Sequence, residues 1–166
     1  MQTPIRKSGK YTNLKSDPYL TPDKFNELKS ILTKLKKITR PAAMAEVKRL
    51  GEMGDFSENA AYSIAKGRLR YTNEKITALQ NHLENAVIIK SIKNKDTVQL
   101  GHNVTIENNG DQKTYLILGS METNPLENII SLHSPLGLAL IGHKVGDKIK
   151  ISLKNKTVEY KIINIK

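Results

Sequence analysis

Along residues 62–83, apolar and small side chains recur at alternating steps of three and four: Tyr62, Ala65, Leu69, Thr72, Ile76, Leu79 and Leu83. That 3.5-residue rhythm is the seam of a coiled coil, one stripe of a helix turned toward a partner. Phe25, Leu28, Leu32 and Leu35 carry the same rhythm earlier in the chain, and Ala43, Val47 and Leu50 resume it. The two earlier sets are out of step around Arg40-Pro41. Proline removes a backbone donor and crowds the preceding turn, so a kink or short break is expected there. Thr21 can cap the first helix with Pro22 in its first turn. A helix over about residues 57–86 would rise roughly 45 Å. The pattern predicts a long antiparallel helical hairpin over 21–90, turning near 54–59, which forms a rod and not a globular core.

After residue 90 the period changes. Val98-Gln99-Leu100, Val104-Thr105-Ile106, Thr114 to Leu118 and Ile129-Ile130-Ser131 read as short strands, with Asn108-Asn109-Gly110-Asp111 as a turn. Ser134-Pro135 opens a short helix to about Ile141, since serine caps and proline is tolerated in a first turn. Gly137 and Gly142 read as punctuation of that helix. His143 to Asp147 is a turn, and Lys148 to Ile151 and Val158 to Ile162 alternate as half-buried strands. The fold class is therefore α+β: a coiled-coil hairpin followed, over 96–166, by a small, mostly antiparallel sheet with one short helix. Lys-rich residues 90–95 mark the boundary, and residues 1–20 read as a basic, flexible tail without periodicity.

Charge sharpens this division. The 166 residues carry a formal net charge of +11. Residues 1–95 hold 19 Lys and Arg against 9 Asp and Glu, whereas residues 96–166 hold 8 against 7. Solvated faces of an exposed coiled coil account for part of the excess; the rest points to a polyanionic partner or an acidic protein channel. There is no cysteine, which excludes disulfides and thiolate metal sites within the chain. No apolar run approaches the roughly 20 residues of a membrane span, and the start has no apolar core of the signal-peptide kind, so a cytoplasmic location is expected. His82, His102, His133 and His143 show no metal-ligand spacing, which leaves them surface or turn roles. Ser57 has no base partner in view, which argues against nucleophilic catalysis.

Between Arg49 and Lys66 the basic residues stop, leaving Glu52, Asp55 and Glu58. Asp55 and Glu58, three apart, can both face outward at the first turn of a helix. Asp-x-x-Glu is also a capping-box pattern, worth about 1 kcal/mol to the hairpin end, and that reading stays open. As metal ligands the pair is incomplete. Mg²⁺ keeps several waters and shares protein carboxylates with phosphates, so another macromolecule would have to complete the site.

Arg40-Pro41, Gly54-Asp55-Phe56-Ser57-Glu58-Asn59-Ala60-Ala61-Tyr62 and Ala65-Lys66 resemble the hairpin tip of the bacterial Gre transcript-cleavage factors (GreA/GreB). Ile130-Ser131, followed by Ser134 through Asp147, is similar to that family's C-terminal domain. Thr3-Pro4 and Lys66-Gly67-Arg68-Leu69-Arg70 lean toward the GreB-like branch. The resemblance implies a transcription elongation factor, acting as a monomer, that binds RNA polymerase and inserts the coiled coil through its secondary channel. Asp55 and Glu58 would share an Mg²⁺ with the polymerase and stimulate its cleavage of backtracked nascent RNA. On this view the chain is not itself an enzyme. Ser57, Asn59 and Tyr62 would support the tip, and Tyr62, lying on the seam, has packing to do as well. Lys48, Arg49, Lys66, Arg68 and Arg70 form the candidate RNA-facing basic set. The C-terminal domain would be FKBP-like and dock on the channel rim, with Ser134, Pro135, Leu136 and Gly142 as its candidate docking residues. Two rivals remain: a secondary-channel regulator that does not stimulate cleavage, and a basic module that binds nucleic acid directly.

Overall fold

The computed structural model describes residues 17–53, 60–90, 96–153 and 156–166. The chain divides into two compact units, Leu20–Lys90 and, with the described part of Met1–Tyr19, Ser91–Lys166.

The first unit is helical. Thr21 accepts a hydrogen bond from the Lys24 N–H (3.2 Å) and Pro22 opens α1 (Pro22–Lys34), as the sequence predicts. The chain then passes through a five-residue π turn, Leu35–Thr39, into α2 (Arg40–Glu52). Helix α3 (Ala60–Glu84) runs 25 residues, about 37 Å, and packs against both. Leu28, Leu50, Ala65, Thr72, Ile76 and Leu79 are buried along the seam. At its base Leu20 is fully buried with Leu28 and Leu79, against Phe25, Leu32, Leu35 and Leu83. Each large side chain withdrawn from water there contributes about 1.5–3 kcal/mol.

The expected break at Arg40-Pro41 is a change of helix type, not an interruption. A heptad continued from Leu28 and Leu35 would place its next seam residue at 42, but the apolar pattern resumes at Ala43. A π turn accommodates one extra residue. The Arg40 N–H bonds the Leu35 carbonyl five residues back, so the helix stays continuous while the seam is carried to its new phase. Pro41, which could not donate inside a regular helix, follows directly.

The second unit is a five-stranded sheet in the order β5-β4-β3-β7-β6. Its strands are β3 (Asn103–Asn108), β4 (Asp111–Leu118), β5 (Ile129–Ser131), β6 (Lys148–Leu153) and β7 (Lys156–Ile165). All pairings are antiparallel except β4 with β5. Asn109 and Gly110, at φ 52° and 87°, make the tight β3–β4 turn that the Asn-Gly dipeptide signals. Val98, Val104, Ile106, Ile117, Leu140, Ile149, Ile151, Ile162 and Ile165 form the core, which α4 (Pro135–Leu140) covers. The Gly137 N–H bonds Ser134 Oγ (2.9 Å), capping that helix.

Three expectations need correction, and one element is new. Residues 98–100 are not a strand: the Val98 N–H bonds the His143 carbonyl (2.8 Å) and the Gly142 N–H bonds the Val98 carbonyl (2.9 Å), tying this stretch to the turn after α4 and not to a sheet edge. Gly137 is a close-approach residue and not punctuation, since a Cβ there would stand 2.2 Å from the Ser131 carbonyl oxygen. A two-stranded sheet, β1 (Tyr19–Leu20) with β2 (Val87–Ile88), was not foreseen. Residues 17–20, expected as the end of a flexible tail, are fixed. Asp17 is 5% exposed and accepts hydrogen bonds from the Tyr19 N–H (3.2 Å), the Ser120 N–H (2.9 Å) and the Ser120 hydroxyl, with His133 Nε2 at 3.7 Å. Gly119 permits this, because a Cβ there would stand 2.1 Å from the Tyr19 carbonyl oxygen.

Candidate functional site: the basic hairpin

Asp55, Ser57, Glu58 and Asn59, the core of the expected acidic tip, lie outside the described residues. The structure does describe the two helices that lead into and out of that turn. Glu52 ends α2 and Ala60 begins α3, so the motif occupies the connection. Tyr62, one turn into α3, is half-buried on the seam. Lys66 places its ammonium 5.2 Å from the Tyr62 ring centroid, within cation–π range. Tyr62 thus packs, as its seam position demands, and also holds a cation near the start of the helix.

The basic residues singled out from the sequence are all exposed and loosely paired. Lys48 Nζ lies 3.8 Å from Glu52, Arg68 Nη1 3.9 Å from Glu46 and Arg70 Nε 4.0 Å from Glu74; Arg49 reaches Met53 Sδ at 3.7 Å. Exposed pairs of this length contribute about 0–1 kcal/mol, so these cations add little to the stability of the rod and stay accessible to a polyanion. They do not form one face. Lys66 and Arg70, four apart, flank a groove of about 700 Å³ on α3 with Leu69, Asn73 and Thr77. Arg68, two residues from each, points to the opposite side and lines a cleft of about 510 Å³ between the helices. That cleft also contains Leu35, Ile38, Ala42, Glu46, Tyr71 and Lys75. Tyr71 (64% exposed) and Ile38 (61% exposed) were not singled out from the sequence. The signal was available: Tyr71 falls one position short of the seam residue Thr72, and an aromatic beside a seam has no partner helix to cover it.

Among the described residues no three His, Asp or Glu side chains stand together as a metal set. His102 is buried and its Nδ1 accepts the Gln99 N–H (3.2 Å), a structural role at a turn but not the surface one. In the second unit the residues expected to dock on a partner divide. Ser134 caps α4 and Leu136 packs on the core, whereas Pro135 is exposed and Gly142 ends the helix at φ 85°; Leu138 and Ile141, not singled out from the sequence, are exposed as well. In the turn that follows, Asp147 accepts hydrogen bonds from the Lys144 N–H (2.8 Å) and shares one with His143 Nδ1 (3.2 Å). The backbone bond foremost, then the histidine bond, holds its carboxyl below the ordinary value of 3.8. No helix among the described residues is long and apolar enough to cross a membrane.

Residues 18–88 match the family model described as transcription elongation factor, N-terminal, and residues 93–166 match the one described as transcription elongation factor, GreA/GreB, C-terminal. The chain is 36% identical to transcription elongation factor GreA of Macrococcus caseolyticus over 149 residues, 88% of this chain and 94% of that protein. It is likewise 36% identical to GreA of Staphylococcus saprophyticus, covering 89% and 95%. A solved structure, GreA factor homolog 1 (Gfh1) of Thermus thermophilus, is 25% identical with a TM-score of 0.41, covering 89% of this chain and 97% of that one. Both curated relatives carry the GreA name, which lends no support to the lean toward a GreB-like branch.

Proposed function

From the membership of this chain in the GreA/GreB family of transcription elongation factors, we propose that it binds RNA polymerase, enters the secondary channel with its helical hairpin and stimulates cleavage of backtracked RNA. The observation that carries this reading is the position of the Gly54 to Tyr62 motif. It joins two long helices, α2 and α3, that share a buried seam and bear exposed cations. A rod of that build has little to do as a core and much to do as a probe.

Asp55 and Glu58 supply two carboxylates, hard oxygen donors that suit Mg²⁺, and two are too few to hold it without ligands from the polymerase. When bound between chain and polymerase, the ion would activate the attacking water and stabilise the leaving oxygen in phosphodiester hydrolysis. The residues of this chain do the positioning. The α2–α3 seam leads into the connection that carries the carboxylates, Tyr62 lies in the first turn of α3, and Lys66 over its ring sets a positive charge near the start of that helix for RNA phosphate. Ser57 and Asn59 orient the tip. The polymerase performs the chemistry, and the chain, as a cytoplasmic monomer, contributes ligands and not an active site of its own. In the second unit the exposed Pro135, Leu138 and Ile141 form an apolar surface suited to docking on the polymerase rim.

The test is RNA cleavage in stalled, backtracked polymerase complexes with Mg²⁺, comparing the wild type with Asp55→Ala/Glu58→Ala after binding of both has been measured. The expected result is cleavage stimulated by the wild type and reduced by about 10² or more in a variant that still binds. Binding without stimulation by either chain would make the protein a channel-occupying regulator instead.

A further inference from the structure

We infer that Asp17 is a positioning residue for the exposed apolar face of α4, holding the turn that launches this helix through a ring of polar contacts with Ser120, Ser131 and His133. This role rests on the proposed docking of that face on RNA polymerase, and it adds what fixes the face in place.

All four residues belong to the second unit. Asp17 accepts both the Ser120 N–H (2.9 Å) and the Ser120 hydroxyl. That hydroxyl is thereby committed as a donor, so the Ser131 hydroxyl donates to it across 3.1 Å. Ser131 Oγ in turn accepts the His133 N–H (3.0 Å), and His133 Nε2 returns to 3.7 Å from the Asp17 carboxylate. The donors all point one way along this chain, from His133 to the carboxylate, the arrangement in which successive bonds polarise and reinforce one another. Without the carboxylate the chain loses its end acceptor.

The ring closes on the entry to α4. Ser131 ends β5, its carbonyl accepts the Ser134 N–H (2.9 Å), and Ser134 caps the helix. Helix α4 has six residues, fewer than a helix needs to be stable alone, so its entry turn and its packing set its direction. Leu136 and Leu140 pack on the core, while Pro135, Leu138 (59% exposed) and Ile141 (37% exposed) face outward. Two further observations mark the contact as built. A carboxylate is costly to bury, yet Asp17 is only 5% exposed. Gly119 has an ordinary φ of −68°, so glycine is required there for space alone: a Cβ would stand 2.8 Å from Asp17 Oδ1 and 2.1 Å from the Tyr19 carbonyl oxygen. Asp17 also lies one residue ahead of the stretch that matches the family model, so the matched domains do not themselves supply it.

The test is polymerase affinity, read by fluorescence anisotropy of the labelled full chain, beside the maximal cleavage rate in backtracked complexes saturated with factor. Both are measured at a temperature where circular dichroism shows every variant folded. Asp17→Ala should raise the Kd roughly tenfold and leave the maximal rate unchanged. Gly119→Ala, which displaces Asp17 while keeping every side chain of the ring, should do the same. Ser120→Ala should also weaken binding, and adding it to Asp17→Ala should cost little more, because both interrupt one chain. Ile162→Val, a core change that destabilises the same unit without touching the ring, should bind like the wild type. Wild-type affinity in Asp17→Ala and Gly119→Ala, or an equal loss in Ile162→Val, would overturn the inference and leave Asp17 a stabilising residue only. Weakened binding by Leu138→Asp in the same assay would then show that the docking reading survives. Leu138→Asp with wild-type affinity would remove the docking reading and this role with it.

Discussion

Asp17 holds its own segment against a turn 103 residues away in sequence. Its carboxylate is almost wholly buried and takes three hydrogen bonds, two of them from backbone N–H groups. Removing it leaves those donors without their acceptor, at a cost of about 2–3 kcal/mol. Asp17→Ala should therefore lower the melting temperature clearly in thermal scans, whereas an exposed change such as Asp23→Ala should move it little. Nothing in the sequence marked Asp17, because its partners are distant and a lone aspartate before Pro18 reads as an ordinary turn residue. Asp147 illustrates the opposite case, a local pattern with a pH consequence. Its carboxyl is held below 3.8 in the folded chain, so its contribution is present above the unfolded value and is lost as pH falls through the folded one. Asp147→Asn should thus be less stable than the wild type at neutral pH, and the difference should shrink as pH falls below the unfolded value in acid-unfolding titrations.

At the scale of elements, the seam was legible because it is periodic. Every residue assigned to it from spacing alone, from Phe25 to Leu83, is buried or half-buried. Leu79→Ala, in the cluster with Leu20 and Leu28, should cost about 2–5 kcal/mol, against under ~0.5 kcal/mol for the exposed Thr77→Ala, as read by loss of helical signal on heating. The phase slip near Pro41 was legible too, but not its resolution. Proline predicts disturbance, and only the backbone shows that a π turn absorbs it. Short elements were the least legible. Tyr19–Leu20 and Val87–Ile88 are two residues each and carry no period. Val98-Gln99-Leu100 has strand-like composition, yet its hydrogen bonds go to residues 142 and 143, a pairing that tertiary context alone dictates.

For the whole molecule, the charge asymmetry was visible in composition, and its arrangement was not. Most of the basic side chains in the described parts of residues 1–95 are exposed and contribute little to folding, so the effect of the excess should appear in encounter. Association with polymerase should slow steeply as salt rises, and Lys36→Glu/Lys37→Glu should slow it further without reducing cleavage once the complex has formed; stopped-flow binding at several ionic strengths reads both. A rate indifferent to salt would count against a steered approach. The candidate site followed the same division. Its residue types and order could be read from the motif, while the separation of Arg68 from Lys66 and Arg70 required knowing which way each faces around α3.

The π turn also bears on how the rod came to have its length. A coiled coil that gains a single residue should lose its register from that point onward, so lengths ought to change by whole heptads. Here one surplus residue is swallowed within Leu35–Thr39, and the seam on either side continues as though nothing had been added. The first arm can therefore carry one residue more than a regular heptad allows without changing how it meets α3. Deleting Lys36 together with Pro41→Ala would convert the turn to ordinary helix and leave both ends of the seam in phase, with the reach of the rod still set by the unchanged α3.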